Sequence, residues 1–553
     1  PRRLSDASDG FLAELLVAAT HGDVGGVCLL GVGSYGRREL CPGSDLDLVL
    51  VHKGRRDVDE VAERVWYRIW DEGVRLDHSV RTPRETISAA RDDLKVALGL
   101  LDARVVAGDE VLGTRVIDEA REQFRAHAGR YLGELATVVD DRRESAGEVP
   151  FVLEPDLKEA RGGLRDVAAL HAFAHGVPGI APSLRLDDVA QPAATLLTVR
   201  AALHARTGKG GDRLLLQEQD QVAEMLGDAD ADALMSRVAA AGREIAWACD
   251  SGLRRVRSHI AGPRGRSGTR DRDLAPGVVL RDGEIAMTSA ADPGADASLL
   301  TRVAALAAEE AADIEPATLD RLAEAHPPPN GSADKWSPQM LTDFLVVLGC
   351  GSRGVTVLEA LDRRRLLERL VPEWAAVRSK PQRNAYHRFT VDRHLLEAAS
   401  EAASLVREVS RPDLLLVGAL LHDIGKGFPG DHTDAGIEVV PRIAERMGLT
   451  DRDVSTLVQL VRHHLLLADT ATRRDLDDPS TIELVAAAVG DRETLHLLAA
   501  LTEADSLATG PAAWGKWKAQ LVRELVARTD EELARTERGT SSRGDGASGP
   551  QSP

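Results

Sequence analysis

The stretch CLLGVGSYGRRELCPGSDLDLVLV (residues 28–51) decides the fold of the first part of this 553-residue chain. It contains the pattern G-x-G-x-x-G (residues 31–36) directly after an apolar run. A dinucleotide-binding unit would need a full helix after these glycines and an acidic residue about 20 positions further on. Here the breaker CPGS (residues 41–44) ends any helix within a few residues, and the next strand carries Asp45 and Asp47. The spacing therefore favours a different phosphate-binding device.

The glycines and aspartates fit a site for nucleotide phosphates and metal ions. A predicted strand delivers the chain into a tight Gly33-Ser34 turn at the start of a short helix. Glycine lets the backbone approach a phosphate, which the serine and the free N–H groups of the helix start can bind. Asp45 and Asp47 stand two residues apart on the next strand, so both carboxylates lie on one face and can hold a divalent metal pair. A third acid is expected from a neighbouring strand, and Asp77 supplies it.

Alternating strands and helices predict a small α/β unit at this end of the chain. Strands are predicted at 46–51 and 74–80, with a helix at 58–70 between them. Alternation along the second strand puts Asp77 on one face and His78 on the other, where His78 is expected in the core or behind the ligands.

The order of strand, Gly-Ser turn, short gap and D-x-D on an apolar strand resembles the nucleotidyltransferases of the polymerase-β type. The alternative is a turn followed by solvated aspartates. The resemblance implies that Asp45, Asp47 and Asp77 are catalytic and hold Mg²⁺. The implied nucleotide-binding residues are Gly33, Ser34, Arg37, Ser44 and Arg81.

Composition limits the compartment and the partners. Lys+Arg 69 against Asp+Glu 88 gives a net charge of −19, which repels a nucleic-acid backbone. Four scattered cysteines without a C-x-x-C motif suit a reducing cytosol. No apolar run approaches the roughly 18 residues of a membrane span. We therefore expect a cytoplasmic protein with neither a membrane nor a nucleic acid as partner.

A second set of polar residues lies on predicted helices or their ends in the C-terminal third. The segments are RFTVDRH (388–394), HDIGKG (422–427), VRHHLL (461–466) and TEADSLAT (502–509). Together with His432 they form the ordered series H…HD…H…HH…D, which resembles the HD metal-dependent phosphohydrolases. Imidazole and carboxylate ligands suit Mg²⁺, Mn²⁺ or Fe²⁺.

This resemblance implies a role for each member of the series. His422 and Asp423 are the catalytic pair and, with His394 and Asp505, hold the main metal. His432 and His464 add a second metal or contact phosphate, so one ion or two remain open. Lys426 is the implied phosphate contact.

Both resemblances in one chain lead to a single family. The segments GSYGRREL, PGSDLDL, LDHSVRT, EPDLKEARGGLRD, LVPEW and YHRFTVDRH resemble the bifunctional uridylyltransferase/uridylyl-removing enzymes, over about residues 28 to 525. The family implies transfer of a nucleoside monophosphate from UTP, or in some relatives ATP, to a tyrosine of the PII signal protein, and its removal by the second domain. A further family motif is implied in substrate or nucleotide contact, although a loop with a helix cap is the alternative. Its residues are Glu154, Asp156, Lys158, Gly162, Gly163, Arg165 and Asp166.

The predicted fold is multidomain and mainly α, with a small α/β nucleotidyltransferase core and an all-α HD domain. The expected divisions are a nucleotidyltransferase core at 1–110, a helical associated domain at 111–324 with a β-hairpin near 278–287, a linker with connecting helices at 325–385, the HD domain at 386–526, and a closing helix end with a disordered tail at 527–553.

Two rival functions remain open at this point. A tRNA CCA-adding enzyme also joins such a core to an HD domain, and a catalytically dead scaffold could bind PII alone. One departure from the family concerns control, because the family usually continues into paired ACT domains that sense glutamine, whereas this chain ends first. We expect the 553 residues by themselves not to respond to glutamine.

Overall fold

The computed structural model describes residues 1–262, 271–325, 335–382, 388–510 and 512–544. It divides into two compact units, Pro1–Arg266 and Ser267–Pro553. Residues 326–334, at the start of the linker and connecting helices predicted at 325–385, lie outside the described residues. The predicted fold class is confirmed: the chain is mainly helical, with a small α/β core near its start and an all-helical region near its end.

The N-terminal unit begins with a four-stranded sheet and continues as packed helices. The strands are β1 (Val27–Gly31), β2 (Leu46–His52), β3 (Leu76–Arg81) and β4 (Arg104–Gly108). The helices are α1 (Arg2–Ala19), α2 (Gly33–Gly36), α3 (Val58–Asp71), α4 (Pro83–Asp92), α5 (Leu94–Leu101), α6 (Glu110–Ala126), α7 (Ala128–Ala146), α8 (Leu164–Gly176), α9 (Leu186–Thr207), α10 (Leu216–Leu226) and α11 (Ala231–Ala261).

Burial and pairing of the strands position the two-aspartate stretch. The sheet order is β3-β2-β1-β4, with β1 antiparallel to both neighbours and β2 parallel to β3. β1 is buried along its whole length, as expected for an apolar strand covered on both faces. Helix α3 packs Val61, Val65 and Ile69 inward at a spacing of four residues. The register of the parallel pair sets Asp47 opposite Asp77.

Two details of this sheet differ from the sequence prediction. Strand β4 is not among the predicted strands, because its five residues are recognisable only by their pairing with β1. His78 is exposed rather than in the core, and its ring packs against Trp66 and Trp70 at centroid distances of 4.9 and 5.5 Å. Two aromatic side chains of α3 thus cover the outer face of β3.

The segment between α7 and α8 contains no helix or extended strand and is held by a buried ion cluster. Asp166 is completely buried, pairs with Arg142 and Arg143, and accepts the backbone N–H of Gly162 at 2.8 Å. Burial raises the pKa of Asp166, although the two arginines oppose this shift. The cluster fixes the loop that carries the EPDLKEARGGLRD motif.

The C-terminal unit combines a second small sheet with helices. The strands are β5 (Arg272–Ala275), β6 (Val278–Arg281), β7 (Glu284–Met287) and β8 (Asp313–Ile314). The helices are α12 (Leu299–Glu309), α13 (Pro316–Ala325), α14 (Pro338–Gly349), α15 (Ser352–Arg363), α16 (Leu367–Leu370), α17 (Val391–Leu405), α18 (Pro412–Leu421), α19 (His432–Met447), α20 (Asp451–His463), α21 (Leu466–Arg473), α22 (Pro479–Val489), α23 (Arg492–Thr509) and α24 (Lys516–Gly544).

β6 and β7 pair across Asp282 and Gly283, both with positive φ, as the primed two-residue hairpin turns require. The sequence prediction stopped at this hairpin, whereas the structure flanks it with β5 and β8 in the order β5-β6-β7-β8. The closing helix α24 extends to Gly544, within the region predicted to hold the helix end and the tail. The remaining tail, 545–553, lies outside the described residues.

Helix α18 organises the helical region. From Leu414 to Leu421 every residue of PDLLLVGALL is buried, so the helix is apolar on all sides and runs through the core. It ends at His422, which delivers the following polar residues into the protein interior. No helix of the described residues is long and apolar enough to cross a membrane.

Replacing Asp166 should destabilise the N-terminal unit strongly. Asp166→Ala leaves a buried guanidinium without its carboxylate, which typically costs about 3–5 kcal/mol of unfolding free energy. Asp140→Ala removes a surface pair with Arg257 and should cost less than about 1 kcal/mol. Urea denaturation followed by circular dichroism measures the unfolding free energy of both variants. Equal losses of unfolding free energy would show that the buried cluster stabilises the unit no more than a surface ion pair does.

Candidate active sites: an acid cluster and a histidine cluster

Three aspartates share one end of the parallel strand pair, and we call Asp45, Asp47 and Asp77 the acid cluster. Asp45 directly precedes β2, while Asp47 and Asp77 are paired neighbours on β2 and β3. Asp45 forms an ion pair with Arg75 at 2.5 Å, and Asp77 forms one with Lys95 at 3.4 Å. Burial raises the pKa of Asp47, and the charges of Asp77 and Asp45 raise it further. The cluster therefore concentrates negative charge that a cation would stabilise.

The Gly33-Ser34 turn lies directly against this cluster. Gly33 has a φ of +55°, and a Cβ at this position would lie 3.4 Å from Asp47 Oδ2. The preceding Val32 donates its N–H to the carbonyl of Asp47 at 3.0 Å. Ser34 follows at half-buried depth in α2. The structure thus brings the predicted phosphate-binding turn and the acids together.

The other predicted nucleotide-binding residues are placed differently. Ser44 lies in the turn before Asp45, where its Oγ accepts the Cys41 N–H at 3.0 Å. Arg37 is held by Asp102 and by Glu39. Arg81 lies on β3 opposite Val51, at the far end of β2. It stands four residues beyond Asp77, which corresponds to about 13 Å between the two residues along β3. Of these three, only Ser44 adjoins the acid cluster in the chain.

Within the EPDLKEARGGLRD motif, Lys158 is the residue whose charge acts on the acid cluster. Its positive charge lowers the pKa of Asp47, opposing the larger effects of burial and the neighbouring acids. Arg165 is exposed and pairs with Glu159 at 3.2 Å. The remaining predicted residues shape the loop or its ends: Glu154 accepts the Leu216 N–H at the start of α10, Asp156 accepts the N–H groups of Lys158 and Glu159, Gly162 packs on the Gly242 carbonyl, Gly163 precedes α8, and Asp166 is the buried acid described above.

The second site lies in the helical region of the C-terminal unit, where the predicted histidines and aspartates do come together. They arrive from the ends or faces of five helices, α17, α18, α19, α20 and α23. We call this set the histidine cluster: His394, His422, Asp423, His432, His464 and Asp505. Tyr386 and His387 of the YHRFTVDRH motif lie outside the described residues.

One half of the cluster surrounds the facing ring nitrogens of two histidines. The Nε2 atoms of His394 and His422 are 3.3 Å apart. His394 Nε2 lies 3.1 Å from Asp505 Oδ1, and His422 Nε2 lies 3.4 Å from Asp423 Oδ2. All four residues therefore direct a ligand atom at one point.

The other half adjoins the second oxygen of Asp423. His464 Nε2 and His432 Nε2 lie 3.7 and 3.9 Å from Asp423 Oδ1. That oxygen is buried and accepts no hydrogen bond among the described residues. Within each of the groups His394–His422–Asp423 and Asp423–His432–His464, the ligand atoms all lie within 4.8 Å of one another. The donor set and the orphaned oxygen fit one divalent cation or two that share Asp423.

Backbone carbonyls set the orientation of two of these rings. Nδ1 of His422 donates to the Ala419 carbonyl at 2.9 Å, and Nδ1 of His464 donates to the Val461 carbonyl at 2.6 Å. Since a carbonyl can only accept, Nδ1 carries the proton and Nε2 faces the cluster. Burial would lower the pKa of His422, but the charges of Asp423 and Asp505 outweigh it and raise the pKa to about 10. A divalent cation would displace the second proton of His422, the one on Nε2, and leave the Nδ1 proton donated to the Ala419 carbonyl.

The histidine cluster opens into a cavity of about 450 Å³ with cations on its wall. Lys426 pairs with Asp423 at 2.6 Å and donates to Gln382 Oε1 at 2.7 Å. Lys380 and Gln382 line the same cavity, and neither was predicted from the sequence. Arg75 and Lys95 at the acid cluster were missed likewise. A lysine or arginine without a motif around it carries no signal until a neighbouring strand or loop places it.

Metal binding should stabilise the C-terminal unit. Adding Mn²⁺ at about 100 times its dissociation constant to metal-stripped protein should raise the melting temperature of that unit by roughly 5–10 °C. His394→Ala should remove this shift, because it deletes a ligand. His463→Ala is the matched control, since His463 neighbours His464 but belongs to neither metal-ligand group. Metal analysis after dialysis should give at least one ion per chain, and, if the wild type holds two, one ion fewer for His432→Ala. A wild-type protein that retains none would contradict the site.

Two family profiles match this chain. The profile described as HD domain matches residues 391–510, the segment that carries the histidine cluster. The profile described as GlnD PII-uridylyltransferase matches residues 132–177 and 178–251, which include the motif loop and helices α8 to α10. Both profiles thus fall on segments that carry or adjoin the two clusters.

The curated relatives agree with the profiles. A bifunctional uridylyltransferase/uridylyl-removing enzyme of Streptomyces coelicolor is 49% identical over 97% of this chain and 65% of its own length. Enzymes of the same description from Mycobacterium tuberculosis and Corynebacterium glutamicum are 46% and 36% identical, over 95% and 92% of this chain and 66% and 72% of their own lengths. The chain thus spans about two thirds of the length of these relatives. It belongs to the family of bifunctional uridylyltransferase/uridylyl-removing enzymes.

Proposed function

We propose that this chain transfers UMP from UTP to a tyrosine of a PII signal protein at the acid cluster and removes it by hydrolysis at the histidine cluster. The observation that carries the proposal is the presence of both clusters in a chain of this family. The acceptor is inferred from the description of the matching profile, which names PII-uridylyltransferase. The donor is inferred from the description of the relatives as uridylyltransferases, and ATP is the alternative donor that the experiment includes.

In the transfer reaction, the tyrosine oxygen attacks the α-phosphorus of UTP. A new P–O bond to tyrosine forms, the bond between the α-phosphorus and the bridging oxygen breaks, and pyrophosphate leaves. Asp45, Asp47 and Asp77 would hold Mg²⁺, which neutralises phosphate charge and lowers the pKa of the attacking hydroxyl. The Gly33-Ser34 turn lies against Asp47 and would contact the phosphates. Lys158 adds a positive charge on the same side, where the leaving pyrophosphate needs it.

In the removal reaction, water attacks the phosphorus of the tyrosine–UMP diester. The P–O bond to the tyrosine breaks, and UMP and free tyrosine are released. Mg²⁺, Mn²⁺ or Fe²⁺ held by the histidine cluster would supply the Lewis acidity that activates water. Lys426 beside Asp423, with Lys380 on the cavity wall, would bind the phosphate oxygens. The cavity volume of about 450 Å³ falls within the ~300–1,000 Å³ range of small-molecule sites.

The deciding experiment supplies purified PII with each labelled nucleotide and identifies the product by mass. With UTP, we expect the mass of one PII tyrosine to increase by one UMP. After UTP and pyrophosphate are removed, so that neither transfer nor its reversal can occur, we expect the UMP to be lost by hydrolysis. If PII is labelled by ATP and not by UTP, the donor is ATP and the group transferred is AMP. Labelling of tRNA instead of PII would support the CCA-adding alternative, and binding of PII without labelling would support a scaffold.

The acid cluster should carry transfer alone. Asp45→Asn with Asp47→Asn should lower the transfer rate at least about a hundredfold, because neutral amides cannot hold the metal pair, whose effect is worth several kcal/mol. Removal of UMP from pre-modified PII should continue. Asp59→Asn, an exposed acid in the first turn of α3, is the matched control and should transfer at the wild-type rate. Undiminished transfer by the double variant would refute the assignment.

The histidine cluster should carry removal alone. His422→Ala with Asp423→Ala deletes two ligands and should abolish hydrolysis of PII–UMP, so that modified PII accumulates during a combined assay. His463→Ala is the matched control, because it removes a neighbouring ring and leaves every ligand, including His464, in place. This variant should remove UMP from PII at the wild-type rate. Hydrolysis that persists in the double variant, or in wild-type protein stripped of metal, would contradict a metal-dependent site here.

A further inference from the structure

A buried network of three residues outside the sequence motifs contacts the turn that precedes Asp45. We call Arg200, His204 and Asp212 the Asp212 network. Arg200 and His204 stand one turn apart on α9, and Asp212 lies in the loop that follows this helix. Arg200 Nε donates to Asp212 Oδ1 at 2.7 Å, and His204 Nε2 lies 3.0 Å from the same oxygen. Both α9 side chains are buried, His204 completely.

The network reaches the acid cluster in two directions. Lys158 Nζ lies 3.7 Å from Asp212 Oδ2, and the charge of the same lysine opposes the rise in the pKa of Asp47. Arg200 Nη1 donates to Ser44 Oγ at 3.4 Å, in the turn directly before Asp45. One carboxylate thus connects the motif lysine and the turn that carries the first aspartate.

Backbone contacts hold the Asp212 loop against both the motif loop and the turn at Gly43. The loop carrying Asp212 pairs with the motif loop, because Leu157 donates its N–H to the Asp212 carbonyl at 2.9 Å and Leu214 donates to Pro155 at 2.9 Å. Gly43 and Gly210 meet backbone to backbone, since a Cβ on Gly43 would lie 2.6 Å from the Gly210 Cα. A side chain at either glycine would push the loop away from the turn.

The charge state of Asp212 suits a permanent anchor. Burial would raise its pKa, but hydrogen bonds from His204 and Arg200 and the charges of Arg200 and Lys158 outweigh it and lower the pKa to about 2. Asp212 therefore stays ionised throughout the neutral range. Arg200 and His204 engage its Oδ1, which leaves Oδ2 directed at Lys158.

We propose that Asp212 is a positioning residue for nucleoside triphosphate: it holds the Lys158 ammonium beside the acid cluster and, through Arg200, the Ser44 turn. The inference rests on the proposed transfer function and adds residues to its site. Asp212 itself does not touch the triphosphate, because its negative charge would repel it. Lys158 is the group that meets the phosphates, and without Asp212 it would lose its fixed position.

The test is the affinity of the whole protein for UTP with Mg²⁺, measured by isothermal titration calorimetry without any acceptor. Asp212→Asn, which keeps the shape of the side chain, should weaken binding roughly tenfold, the effect of one charge-assisted contact. Lys158→Gln should weaken it at least as much. If Asp212 acts through Lys158, the double variant should bind no more weakly than Lys158→Gln alone. In the transfer assay, Asp212→Asn should raise KM for UTP and leave kcat within about threefold.

Asp228→Asn is the matched control, since Asp228 also pairs with an arginine, Arg237, but lies between α10 and α11. It should bind UTP as the wild type does. Wild-type affinity in Asp212→Asn or in Lys158→Gln, or additive losses in the double variant, would overturn the inference. Wild-type protein that binds UTP yet never modifies PII would refute the proposed acceptor and leave the inference standing. Wild-type protein that binds neither UTP nor ATP would overturn both.

Discussion

A carboxylate taken out of water is stable only beside positive charge or hydrogen-bond donors, and three aspartates of this protein show the consequence. Asp166 is closed in by Arg142 and Arg143, Asp212 by Arg200 and His204, and Asp423 by histidines and Lys426. The cost of burying each charge is offset only if its partners are held in place. Each aspartate therefore fixes the elements around it.

The three cases differ in how far the protein itself satisfies the charge. Asp166 has two arginines and a backbone N–H, so its site is closed and structural. Asp212 engages Arg200 and His204 of α9 with one oxygen and presents the other to Lys158. Asp423 keeps a buried oxygen without a hydrogen bond among the described residues. This gradation distinguishes a closed structural acid, the proposed positioning acid and the proposed metal ligand.

The two sites also differ in exposure, which suits their proposed substrates. Asp45 and Asp77 of the acid cluster are exposed and paired with Arg75 and Lys95, as expected of a surface that must admit a protein acceptor together with a nucleotide. The proposed metal ligands His394, His422 and Asp423 are buried, and the last two follow the end of the apolar helix α18. A buried, preorganised ligand set stabilises metal binding, since little has to rearrange when the ion enters.

The sequence by itself determined the elements whose signal is local. The apolar strand before Gly33 and the D-x-D spacing of Asp45 and Asp47 are patterns within a few residues, and they predict a strand and a pair of carboxylates on one face. The histidines from His394 to His464 stand on separate short motifs, and their order along the chain predicts a ligand set. The tertiary structure alone decided which of the motif residues face a site. Lys158 reaches the acid cluster while Asp166 is buried in an arginine pair, although both belong to one short motif. Strand β4, the exposed position of His78, and the approach of Arg200 to Ser44 depend on contacts between residues far apart in the chain. Periodicity and spacing describe neighbours along the chain, whereas the partner of a charge is chosen by packing.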